Sequence, residues 1–194
     1  MASEIDVCNL ALSHLGDDAY VSSIDPPEGS AQAAHCARFL PLALGQLIES
    51  HPWRFALARK RLAQVTSTIE HWEYAYGLPS DMLRPVALLP DGASDDHDGV
   101  SYMIEGTTLY SNEPDAVLRY IKSGVAVSTL PPSVASALSW LLAAFLSGPV
   151  TKEPKLREYC FRMYEATRRQ AAVLDANSAH DPLTHTVGWI GARE

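Results

Sequence analysis

Between His51 and Arg84 the hydrophobic period of this chain changes from that of a helix to that of a strand. Pro52 stops a helical run that begins near Ser30, because proline lacks an N–H and forces the residue before it out of the helical region. Trp53 and Phe55 follow as bulky anchors. Trp72, Tyr74 and Tyr76 then alternate with Glu73 and Ala75, which sets one aromatic face at a spacing of two. Pro79-Ser-Asp81 turns that strand, and Met82 to Leu89 forms its expected partner. Strands must therefore be placed between helices.

The rest of the chain fills in that plan. Residues 3 to 15 predict a helix capped by Ser3, with Ile5, Cys8, Leu12 and Leu15 on one stripe and Gly16 at its end. The second helix, from Ser30 to about Ser50, contains Pro41, where a kink is expected. Trp53 to Leu62 reads as a short helical turn leading outward. Val100 to Glu105, Thr107 to Tyr110 and Ala116 to Lys122 read as a three-strand meander. A third helix starts after Pro131-Pro-Ser133, with Ser133 as its cap, is apolar on nearly all sides, and is broken by Gly148-Pro149. A fourth, capped by Thr151, fades near Asn177. The expected fold is mainly α: a four-helix bundle (1–69 and 124–177), a small antiparallel β insert between the second and third helices (70–123), and an extended C-terminal tail (178–194).

Composition narrows the function. The 194 residues suit one domain, and 47% hydrophobic against 20% charged content is that of a folded chain. With 23 acidic and 15 basic residues the net charge is −8, the wrong sign for a protein that grips nucleic acid through its phosphates. Cys8, Cys36 and Cys160 are odd in number and far apart, which predicts buried free thiols. The opening Met1-Ala-Ser-Glu lacks the basic start of a secretory signal, and the apolar run Trp140 to Leu146 is too short to cross a bilayer. A soluble chain made in a reducing compartment, without membrane contact, is expected.

No constellation carries chemistry, so catalytic, cofactor-binding and metal residues are each expected to be none. The acidic stretch Asp91-Gly-Ala-Ser-Asp-Asp-His-Asp-Gly99 has Tyr102 where a calcium loop needs a bidentate Glu, and reads as a solvated hairpin loop. His180 and His185 lie near Asp181 without the further ligands that zinc requires. No nucleophile elbow, P-loop or dinucleotide glycine motif is present. What remains are interface candidates. Arg54, Arg59 and Arg61, with Lys60, form a basic cluster: a solvated face, or a contact with an acidic neighbour or DNA. Trp53 and Phe55 pack the second helix or anchor a partner. Trp189 and Ile190 stand alone in the tail, where Trp189 docks on a partner or on its own chain.

These residues together resemble the tail tubular protein A family, the head-to-tail adaptors of short-tailed bacteriophages. The matching features are Asn9-Leu-Ala-Leu12 with Leu15-Gly16, then Pro52-Trp53 with Phe55-Ala56, Arg59 and Leu62. Tyr76-Gly-Leu-Pro79 follows, with Asp81, Leu83 and Arg84, and later Leu118-Arg-Tyr-Ile121 and the helix from Ser133. The resemblance spans roughly residues 3 to 177. It implies a virion protein made in the host cytoplasm and built into a ring of about twelve copies at the head–tail interface. Its partners would be the portal protein and the tail nozzle protein, and DNA would pass through the lumen without sequence-specific binding. An acidic lumen suits that passage, because it repels phosphate. The alternative is a cellular helical protein-binding module or small regulatory subunit.

Overall fold

The structure is a computed structural model, and it describes residues 2–67, 69, 71–94 and 98–177. Helices occupy both ends of the described chain, as α1 (Glu4–His14), α2 (Ala31–Glu49), α3 (Pro132–Thr151) and α4 (Pro154–Ala176). The middle is strand-rich, with β1 (Leu57–Arg61), β2 (Ala63–Val65), β3 (Tyr74–Gly77), β4 (Met82–Leu89), β5 (Tyr102–Glu105), β6 (Thr108–Ser111) and β7 (Val117–Lys122). These form two antiparallel sheets, one of order β1-β7-β4 and one of order β2-β3-β6-β5. The expectation of a helical bundle with a small insert is therefore wrong. Strands begin at Leu57 and make up a substantial part of the fold.

The error has a local cause. Leu57-Ala-Arg-Lys-Arg61 has no apolar alternation, so its sequence does not read as a strand. Pairing with β7 overrides that local preference, with Leu57 opposite Ile121 and Arg59 opposite Arg119. The strand partners differ as well. β3 pairs with β2 and β6 instead of β4, and β7 leaves the expected meander to lie between β1 and β4.

The three-stranded sheet is a middle layer. Successive side chains of a strand point to opposite faces, and here the two faces meet different cores. Ile121, with Leu57 and Val86, packs into the helical core around Leu12, Leu40, Trp53, Leu138 and Leu141. Leu118, Tyr120 and Leu88 pack into a second core with Tyr76 and Leu109 of the four-stranded sheet. The layers are thus helices, three strands, four strands.

The helices form for reasons the sequence states. Ser3 caps α1 in a reciprocal box: its Oγ accepts from Asp6 N at 3.1 Å while Asp6 Oδ2 accepts from Ser3 N at 2.8 Å. Gly16, at φ 72°, takes the left-handed turn that ends it. Ser30 caps α2, which continues through Pro41. α3 packs against α1, α2 and α4, which accounts for its apolar surface on nearly all sides. It starts from Pro131 instead of Ser133, and it continues past Gly148-Pro149 to Lys152, which closes it in the left-handed conformation at φ 58°. The N-cap position of α4 is Glu153, two residues beyond the expected Thr151. Cys8, Cys36 and Cys160 are free and fully buried in the helical core.

Candidate interaction cleft

Trp53 fixes the geometry of the region that follows α2. It is fully buried, its Nε1 donates to the Leu47 carbonyl at 2.9 Å, and its ring stacks on Phe55 at 5.9 Å between centroids. Trp53 is thus the staple that turns the chain off α2, through the short 3-10 helix Arg54–Ala56, into β1. Phe55, half-buried, packs against the same core.

That turn places Arg54 and Arg59 on one cleft of about 720 Å³ between the helical layer and the three-stranded sheet. Pro52, Leu57, Ala58 and Val86 give it an apolar floor. Arg54, Arg59 and Arg119 stand around it with His51, and Asp175 from the end of α4 closes one side. Arg59 and Arg119 meet because they are directly opposite in the β1–β7 register. Arg84 on β4 is close enough to oppose protonation of His51, and its Nε is buried without a hydrogen-bond acceptor.

Asp175 is the pivot of the site. A carboxylate in the last turn of a helix faces the negative end of the helix dipole and needs compensation. The Arg54 backbone N–H supplies it, at 3.2 and 3.1 Å from the two carboxylate oxygens. His51 Nε2 lies 3.9 Å from Asp175, beyond hydrogen-bond reach. Burial holds the His51 pKa below its ordinary value; Arg168 and Arg84 act in the same direction, and Asp175 pulls against them. The imidazole is therefore mostly neutral at pH 7, and the positive charge of the cleft belongs to its arginines.

Arg61, the third of the basic candidates, is elsewhere. It pairs with Asp91 and reaches Asp115 at 3.7 Å, so it ties the start of the acidic loop to the sheet. The hydrogen bond that Arg61 donates to the Asp91 carboxylate favours the charged guanidinium and raises the Arg61 pKa. Trp189 and Ile190 lie outside the described residues, as do Asp95, Asp96 and His97 of the acidic loop. Sequence reading missed Arg119 and Asp175 as members of the site, and Arg84 as a charge that acts on its His51. The Arg59–Arg119 pairing depends on a strand register that joins residues 60 positions apart, and no local signal encodes it.

The aromatic-turn motif is structural. Tyr76 Oη donates to the Glu113 carbonyl at 2.6 Å, and Tyr120 Oη donates to Asp81 Oδ1 at 3.0 Å. Asp81 in turn accepts from Ser123 N at 2.7 Å through its carbonyl. These bonds lock the ends of β4 and β7 and so hold Arg84 and Arg119 in place. A second hollow, of about 980 Å³, opens at the α3–α4 turn, but Lys152, Glu153, Arg157, Glu158 and Arg162 line it with mixed charge. Among the described residues no group of three or more His, Cys, Asp or Glu could hold a metal. The arrangement offers recognition: an apolar trough edged by cations on an acidic chain. No protein-family model matches this chain, and no curated protein is significantly similar to it.

Proposed function

We propose that this protein is a non-enzymatic virion adaptor, a ring-forming subunit between the portal and the tail nozzle of a short-tailed phage. The observation that carries the reading is the cleft beside Trp53. The two sequence blocks that resemble the adaptor family are spent on building and bracing one cationic, apolar-floored surface, not on a reactive centre. Such a surface suits contacts between subunits, where buried aromatic staples hold arginines at a rim. A ring gains strength from many modest contacts made at once. Its net negative subunits would let DNA slide through the lumen.

The test is the mass of the complex formed with the portal ring encoded nearest this chain, starting from protein dilute enough to be monomeric. Saturation at about one copy per portal subunit is expected. No binding, together with a small oligomer of fixed size, would replace this reading with that of a protein-binding module.

A further inference from the structure

The cleft has a complementary surface on the same chain, at the far end of α2. After α1 the chain passes through Asp17-Asp-Ala-Tyr20. Asp18 is exposed, and Tyr20, at 74%, is the most exposed of the large hydrophobic residues. The loop is held firmly. Asp17 Oδ1 accepts from Ala19 N at 2.9 Å, and its Oδ2 accepts from Gln32 Nε2 at 3.3 Å. On the other side Val21 N donates to Asn9 Oδ1 at 2.8 Å, and Asn9 Nδ2 donates to the Val21 carbonyl at 3.0 Å. A tyrosine displayed on a braced loop loses little freedom on binding, which is what makes an aromatic anchor effective.

We propose that Asp18 and Tyr20 of one copy seat in the arginine-rimmed cleft of a second copy. The ring of Tyr20 lies on the apolar floor, against the guanidinium groups of Arg54 and Arg59, and the carboxylate of Asp18 adds opposite charge. Three observations favour a second copy over other occupants. The cleft gathers three arginines (Arg54, Arg59 and Arg119) of the chain's 15 basic residues and one, Asp175, of its 23 acidic ones, so the remainder of each copy is an acidic partner. The loop carries the matching pair, an acid beside an exposed aromatic residue. Lastly, loop and cleft cannot meet within one chain. Gln32 ties the loop to the start of α2 and Trp53 ties the cleft to its end. The 19 residues between are roughly 28 Å long at about 1.5 Å each. A contact between two different patches is head-to-tail, and repetition closes a ring when the rotation allows. The inference rests on the ring reading for that closure and names the contact that would make it.

Two variants test it. Asp18→Arg with Tyr20→Ala keeps the cleft and removes the loop's chemistry; Arg54→Glu with Arg59→Glu does the reverse. All four side chains are exposed, and circular dichroism with a thermal melt checks that each variant stays folded. Sedimentation at high protein concentration should show the wild type assembling, with the strength falling as salt rises. Each variant alone should remain monomeric, with association at least tenfold weaker. An equimolar mixture should stop at a one-to-one pair, because one intact loop meets one intact cleft. A wild type that never associates, variants that associate as it does, or a mixture that stays monomeric would each overturn the contact. Portal binding by the wild type, measured separately, keeps the two ideas apart. Copies that load the portal without pairing in this way leave the adaptor reading standing and remove this contact.

Discussion

The helical core and the β core rest on opposite faces of the same three strands, yet they are held by different means. The helical core is broad and is built on helices of regular apolar period packed around α3. The β core is small, with Leu62, Tyr76, Leu88, Leu109, Ala116, Leu118 and Tyr120 buried, and it depends on strand partners distant in sequence. It adds polar ties that the helical core needs less, such as the Tyr120–Asp81 and Tyr76–Glu113 hydrogen bonds. The cleft lies where the helical layer stops short of the middle sheet. Its geometry therefore depends on both cores at once.

The largest expected effect probes the helical side. Trp53→Ala should lower stability by about 3–5 kcal/mol in denaturant unfolding, through the lost ring volume and the lost indole hydrogen bond to the Leu47 carbonyl. It should also disorganise the cleft. Leu118→Ala probes the other side of the middle sheet and should cost about 2–5 kcal/mol, since the side chain is fully buried. If its loss leaves hydrogen exchange in α1 and α2 unchanged while β3 and β6 open, the two cores are separable units. Equal loosening everywhere would make them one.

Gly99→Ala is a smaller and more local break. Gly99 has φ 90°, and an added Cβ would lie 3.1 Å from the Leu88 carbonyl oxygen, which already accepts from Val100 N at 2.8 Å. A cost of about 1–2 kcal/mol is expected from backbone conformation alone, confined to the β side.

The mildest test is acid. His14 stacks on Trp140 at 3.5 Å and shares a 3.1 Å hydrogen bond with Ser139 Oγ; burial lowers its pKa from the ordinary 6.5. The unfolded chain then binds more protons than the folded one, so stability is full above the unfolded value of 6.5 and falls as pH drops toward the folded pKa. The β core has no histidine among the described residues. Exchange protection in α1 and α3, taken relative to the intrinsic rate at each pH, should weaken as pH falls below about 6.5 before that in β3 and β6. His14→Gln should flatten the slope, and an unchanged slope would move its origin to another group.

The same contrast explains what could be read in advance. α1 was legible from Ser3 and Gly16, and α2 from Ser30 and Pro52, because caps and breakers act within a few residues. Tyr74 and Tyr76 marked β3 by alternation. β1 was hidden, since Arg59-Lys-Arg61 looks like a solvated surface until β7 is laid beside it. The end of α3 was misplaced because Gly148 and Pro149 are ordinary helix breakers, here overruled in the last turn. Arg54 and Arg59 were visible as a basic cluster. Their company with Arg119 and Asp175 was not, since Asp175 lies 121 residues from the Arg54 backbone it binds.

The alternation along β7 has one more consequence. Leu118 and Tyr120 enter the β core while Arg119 stands at the cleft, so a slip of one residue would drive the arginine into an apolar interior and expose the leucine. Burying an unpaired guanidinium is costly enough to reject that pairing. The strand thus proofreads the surface it carries: a copy that shows the arginine pair at the cleft has already passed the register check, and a misregistered one does not display that pair.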